Sequence, residues 1–87
     1  QNVLNWCGRG QCLERMGRLE DALACHDKAL EIDPRFSIGK FHKGRLEAEL
    51  GRRDAAILAL QQFLALAPPN LAALVSEARK RLQELKA

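Results

Sequence analysis

The 87-residue sequence contains no tyrosine, and aromatic residues make up only 5% of it. No apolar run approaches the roughly 18 to 20 residues that a membrane-spanning helix needs, and no signal-peptide pattern opens the chain. Three cysteines cannot all pair within one chain, and nothing in the sequence indicates secretion. We therefore expect reduced thiols and a cytoplasmic setting.

The composition that remains is typical of one small helical domain, rich in alanine and leucine, with 29% charged residues. The net charge of +3 is unevenly distributed along the chain. Residues 1–34 carry four basic and six acidic side chains, whereas residues 35–87 carry ten basic and five acidic ones. The basic second half is therefore a better guide to the charge of a binding partner than the net charge of the whole chain. Because the chain begins with Gln1 rather than Met, we expect a fragment of a longer protein.

The sequence repeats itself with a period of 34 residues and without gaps. Periods of this length are typical of helical arrays, in which each unit packs against the next. Conservative pairs such as Met16 with Leu50 and Glu20 with Asp54 lie between the identical ones. The identical pairs are Gly10/Gly44, Gly17/Gly51, Arg18/Arg52, Ala22/Ala56, Leu30/Leu64 and Pro34/Pro68.

Each copy has the apolar spacing of two helices joined by a turn. Gly17 and Gly51 stand where the first helix of each pair ends, and a proline closes each copy. A last apolar stripe follows Asn70, which is a favourable N-cap residue. The pattern predicts an all-α fold with helices near 3–16, 19–32, 37–50, 53–66 and 70–86.

This unit resembles the tetratricopeptide repeat. The resemblance is carried by Trp6, Gly10 and Leu13 in the first helix and by the stretch from Gly17 to Pro34. It implies an antiparallel helix-turn-helix solenoid in a single domain, 1–87. The first repeat covers residues 3–36, the second covers residues 37–70, and a capping helix covers residues 71–87. In the second repeat, Lys40 and Glu47 occupy the positions of Trp6 and Leu13, which in this family usually face the core between the helices.

The stretch "ACHDK" places Cys25, His26 and Asp27 side by side, which are the residue types of a thiol-protease active site. Neighbouring residues on a helix point about 100° apart and do not face each other. The three side chains therefore cannot converge on one reacting atom. We expect His26 to pack between helices and Asp27 to lie on the solvated side, and we predict that the protein is not an enzyme.

Metal and nucleic-acid sites are also disfavoured. Structural zinc usually needs closely spaced ligand pairs, whereas Cys7 and Cys12 are five residues apart on a helix, and Cys12 is expected to be a plain core thiol. No glycine-rich phosphate loop or other cofactor motif is present. The basic clusters of the second half lack neighbouring aromatic residues, so they indicate a solvated helical face rather than specific nucleic-acid binding.

The resemblance implies that the first helix of each pair lines a concave groove for a peptide or partner protein. A mixed apolar and basic groove of this kind suits a partner with apolar anchors and nearby carboxylates. The chaperone-tail clamp of the family is not expected, because the residues at its clamp positions do not match. The predicted groove residues are Leu4, Cys7, Gln11, Ile38, Phe41, His42, Arg45, Ala48, Val75, Arg79 and Leu82.

Two functions remain open from the sequence. The first is a non-catalytic interaction module that holds a peptide or protein, with no cofactor and no membrane contact. The alternative is self-association into a homodimer through the N-terminal face, where Val3 and Trp6 have no preceding helix to cover them.

Overall fold

A computed structural model describes residues 2–87 and contains five α-helices and one short 3-10 turn. The helices lie within about two residues of the predicted positions, and the all-α solenoid is confirmed. Their bounds are α1 Val3–Arg15, α2 Leu19–Ile32, α3 Ser37–Glu49, α4 Arg53–Leu66 and α5 Ala72–Lys86. None of the helices among these residues is long and apolar enough to cross a membrane.

The two hairpin turns are identical in construction because each uses a glycine in the left-handed region. Gly17 has a φ of 80° and Gly51 a φ of 79°, a conformation that other residues adopt only with strain. The turn lets the amide of Arg18 donate to the carbonyl of Leu13 at 3.0 Å, which satisfies an end carbonyl of α1. Both turns therefore reverse the chain at the positions that the repeat predicted.

The helices pack as two hairpins and a cover. The α1–α2 hairpin packs through α2 against α3 of the second hairpin, and α5 closes the far side of α4 while touching α3. Apolar burial is the main contribution to stability in such stacking. One buried cluster, formed by Ala22, Leu23 and Leu46, joins the hairpins. The larger cluster under α5 contains Phe41, Leu60, Phe63, Ala78 and Leu82.

A glycine in the first helix of each hairpin allows the second helix to approach closely. A β-carbon at Gly10 would lie 2.8 Å from Nε2 of His26, and one at Gly44 would lie 2.7 Å from Cγ of Leu60. His26 and Leu60 are 34 residues apart and therefore occupy equivalent sites. The repeated glycine is thus required by helix contact rather than by backbone conformation.

Two expectations about single residues need correction. Asn70 does not cap α5, because the Pro69–Leu71 3-10 turn delays the helix and places Leu71 at its N-cap. Cys12 is exposed rather than a core thiol. Its equivalent in the second repeat, Leu46, is fully buried by the first hairpin, but no described helix lies in front of α1 to bury Cys12.

Candidate functional site

A polar pocket of about 330 Å³ lies between α1 and α3, the first helices of the two hairpins. Because α2 packs against both of these helices, residues 31 apart in sequence come together across the joint. The wall from α1 consists of Gln11, Glu14 and Arg15, and the wall from α3 consists of His42 and Arg45.

The centre of the pocket is a bidentate ion pair between Arg45 and Glu14. The guanidinium donates from Nη1 to Oε2, and from Nη2 to Oε1 at 2.7 Å. The Arg45 side chain is only 14% exposed, so the ion pair is partly shielded from water. The hydrogen bond from Arg45 lowers the pKa of Glu14, and the same bond raises the pKa of Arg45. The two groups therefore remain charged and neutralise each other.

His42 extends this network toward α1. Nη2 of Arg45 lies 3.0 Å from Nδ1 of His42, and since a guanidinium has no lone pair to offer, Nδ1 must accept. The imidazole proton is then on Nε2, which lies 3.1 Å from Nε2 of the Gln11 side chain, and that amide must turn its oxygen toward the ring to accept the proton. Burial, followed by the charge of Arg45, lowers the pKa of His42. The ring is thus held neutral in one tautomer.

His26 lies directly behind His42 and completes the cluster from α2. The two rings stack with centroids 5.0 Å apart and planes inclined by 20°. His26 is fully buried, and neither of its ring nitrogens has a hydrogen-bond partner within residues 2–87. Burial lowers its pKa to about 4, so the ring is neutral at physiological pH. The expectation that His26 packs between helices is confirmed.

The structure brings only three of the eleven predicted groove residues into this pocket, namely Gln11, His42 and Arg45. Phe41 is 3% exposed and packs against Phe63 with ring centroids 5.3 Å apart, so it forms the core rather than an open anchor. Cys7 and Leu82 are buried as well. Of the remaining predicted residues, Leu4 and Arg79 are exposed, and Ile38, Ala48 and Val75 are half-buried.

The sequence interpretation missed Glu14 and Arg15. Glu14 occupies the position equivalent to Ala48, one turn beyond Gln11 on the same helix face. Its charge, opposite to that of Arg45, was the available signal. The 34-residue repeat hides this ion pair, because it places Gln11 beside Arg45, whereas the observed contact joins residues 31 apart.

A second hollow of about 510 Å³ lies along α5 and is also polar. Arg81 donates there to Glu77 at 3.0 Å, one helical turn away. The negative charge of Glu77 also acts on the Arg45 guanidinium from α5. The hollow is lined by Ser76, Glu77, Lys80, Arg81 and Glu84.

The "ACHDK" residues do not form a site. Cys25 and His26 are buried, and Asp27 pairs with Lys43 of α3 at 3.0 Å. Within residues 2–87, no group of three or more histidine, cysteine or acidic side chains is arranged to hold a metal ion.

Comparison with known proteins agrees with the repeat and with the fold. The tetratricopeptide repeat family matches residues 5–36, and the same family matches again over residues 40–70. The chain belongs to the tetratricopeptide repeat family. This family membership makes it a protein-interaction module. A comparison with curated proteins gives no significant match.

Among solved structures, this tetratricopeptide repeat chain is similar to PcrH from Pseudomonas aeruginosa. The identity is 26% and the TM-score 0.92, over all of this chain and 67% of that one. It is also similar to PcrH in complex with the chaperone binding region of PopD, at 25% identity and a TM-score of 0.89. That match covers 98% of this chain and 65% of that one. The chain thus spans about two thirds of the length of these structures.

Proposed function

We propose that the chain holds an extended or helical segment of a partner protein along its first helices, with the α1–α3 pocket as the anchoring point. The observation that carries this proposal is the pocket itself, a preformed hollow with fixed hydrogen-bonding groups where the family places its ligands. The similarity to PcrH in complex with the chaperone binding region of PopD supports a role in binding a segment of another protein.

We further infer that the module is non-catalytic and works in a reducing, cytoplasmic compartment. The nearest resemblance to a catalytic set, Cys25 with His26, is buried with no access for a substrate. None of the three cysteines in the described chain is in a disulfide.

The partner segment is proposed to carry one or two apolar side chains and neighbouring carboxylates. Arg45 is already neutralised by Glu14, so a ligand carboxylate would have to compete for it. Arg15 at the pocket rim and Arg79 on α5 are exposed and better suited to meet an acidic partner. Exposed apolar side chains such as Leu4, which is 66% exposed, supply area for the partner's apolar anchors.

The test compares two peptides that share leucines but carry either aspartates or lysines. We expect the native domain to bind the aspartate peptide more tightly, and Arg15→Glu with Arg79→Glu to reverse that preference. Each exposed contact is worth about 1 kcal/mol, or about fivefold in Kd, and weakens with salt.

Arg35→Glu is the matched control, because this exposed residue lies in the turn between α2 and α3, away from the pocket. Calorimetry measures the Kd of each peptide for the native domain, for the Arg15→Glu/Arg79→Glu variant and for Arg35→Glu, all confirmed folded. Equal binding of both peptides by every variant would contradict the proposed preference for an acidic partner. No binding of either peptide by any variant would contradict the proposal that this groove is the binding surface.

Self-association is the second candidate, favoured by the leading face of α1, which we define as Asn5, Arg9, Cys12 and Met16. These residues are exposed, whereas their equivalents in α3, 34 residues later, are half-buried or buried. Met16 is 65% exposed, and its equivalent Leu50 packs against the cluster that joins the hairpins. A second copy covering this face would bury the same kind of surface.

A further inference from the structure

The joint between the two hairpins contains both histidines of the chain. His26 comes from α2 and His42 from α3, and their stacked rings hold their lone pairs in nearly parallel planes. Lone pairs so directed do not converge on one point, so the pair is poorly arranged to bind a metal ion. Its structural effect is to join the first hairpin to the second through two neutral rings.

The surroundings of His26 offer no free counter-charge. From α1, Glu14 faces the ring, but both of its oxygens accept from Arg45. On α2 itself, Asp27 is paired with Lys43. A protonated His26 would therefore be a fully buried cation without a hydrogen-bond acceptor among the described residues.

The surroundings of His42 are equally unfavourable to a second proton. Its Nδ1 accepts from Arg45, so a proton on that nitrogen would turn two donors toward each other. The guanidinium is itself a cation, and the acids near it, Glu14, Glu49 and Glu77, already act on Arg45. Protonation of both rings would add two adjacent positive charges beside the Arg45–Glu14 ion pair at the α2–α3 joint.

We propose that the His26–His42 pair makes the joint between the hairpins acid-sensitive, so that lowering the pH destabilises the packing of α2 against α3 that positions the α3 wall of the pocket. The acid sensitivity does not depend on what the groove binds, because both histidines belong to the joint between the hairpins.

The sign of the effect follows from the direction of each pKa shift. The pKa of His26 falls to about 4 in the folded chain from an ordinary 6.5, so the unfolded chain takes up protons first as the pH falls. Between pH 7 and pH 5, His26 alone then raises the unfolding equilibrium constant about 20-fold.

The buried carboxylates behave differently over this interval. Arg45 lowers the pKa of Glu14, so the stability from that pair is lost only when the pH falls below the ordinary carboxyl range. Burial raises the pKa of Glu47, so its protonation in acid works against unfolding. Neither group accounts for a loss of stability between pH 7 and pH 5.

The experiment is urea unfolding of the full chain at pH 7 and pH 5, with the His26 ring followed by NMR. His26→Leu is the principal variant, because Leu60 fills the equivalent site against Gly44 in the second hairpin. We expect the unfolding constant to rise about 20-fold or more in the native chain. In His26→Leu, the change should be several-fold smaller, because only the lowered pKa of His42 still contributes.

His42→Gln is the second variant, since glutamine keeps an acceptor for Arg45 and carries no titrating ring. It should reduce the pH dependence only in part, because burial still lowers the pKa of His26 when the charge of His42 is absent. A His26→Leu variant with the native pH dependence would overturn the proposal, as would a His26 ring that titrates near 6.5 in the folded chain.

Discussion

At the scale of single residues, the contact between Gly10 and His26 brings the pair of histidines to the joint. A β-carbon at position 10 would meet the His26 ring at 2.8 to 3.1 Å, closer than van der Waals contact allows. Because His26 is fully buried and stacked on His42, it has no space in which to move aside. The glycine therefore fixes the distance between α1 and α2.

Gly10→Ala is predicted to destabilise the protein by about 1 to 3 kcal/mol through overpacking. Gly8→Ala, on the same helix, is the matched control, because nothing lies within 4 Å of a β-carbon there. It should stabilise by about 0.5 to 1 kcal/mol through helix propensity. Urea denaturation of both variants measures the difference, and shifts of the same sign would contradict the packing account.

The burial of His26 could be predicted from the sequence because its repeat partner is Leu60, an apolar core position. Its stacking on His42 could not, since the two residues are 16 apart and are unrelated by the repeat. The contact depends on how far α3 is rotated against α2, and a hydrophobic pattern fixes such a rotation only to within about one side chain.

At the scale of helices, α3 turns Lys40 and Glu47 inward, although both are charged. Lys40 is half-buried, with its Nζ donating to Gln62 of α4 at 3.1 Å. Glu47 is 6% exposed, and its Oε1 has no hydrogen-bond partner among the described residues. Thus α3 keeps the rotation of α1 and buries a carboxylate where the first repeat has Leu13. Lys40 can pack its long aliphatic chain against the core while its ammonium group reaches Gln62. The buried Glu47 carboxylate has no such outlet, and its desolvation lowers the stability of the fold.

Glu47→Leu is therefore predicted to stabilise the protein by about 1 to 3 kcal/mol at pH 7, since it removes an unsatisfied buried carboxylate. Burial raises the pKa of Glu47, so the destabilisation is present at neutral pH and fades as the group is protonated in acid. The gain should shrink as the pH falls through the raised pKa of Glu47 toward 4.5, and it should be absent below pH 4.5. Glu49→Leu, an exposed site on the same helix, is the control and should give little gain.

Chemical denaturation between pH 4 and pH 7 tests this prediction. A Glu47→Leu variant less stable than the native chain at pH 7 would mean that Glu47 has a compensating partner. A gain that does not change with pH would mean that packing rather than charge decides the effect.

At the scale of the whole molecule, the two ends of the array differ. The final helix α5 covers Phe63 and Leu60, as the apolar stripe of the sequence predicted. At the other end, Trp6 is half-buried under the Arg9 guanidinium, 4.8 Å from the ring centroid. Beside it lies a hollow of about 290 Å³. The repeat explains the difference. Helix α2 covers one side of α3, whereas no described helix occupies the corresponding place before α1.

The leading face of α1 is therefore predicted to drive concentration-dependent self-association of this chain. Sedimentation over a wide concentration range should show dimers in the native chain and a weaker tendency in Met16→Glu, because Met16 is the largest exposed apolar side chain of this face and a charge there is costly to bury. Leu58→Glu is the matched control, since Leu58 is 57% exposed on α4, far along the chain from this face. Equal weakening by both variants would indicate nonspecific association of exposed apolar side chains, and a strict monomer at the highest concentration would leave the groove as the chain's working surface.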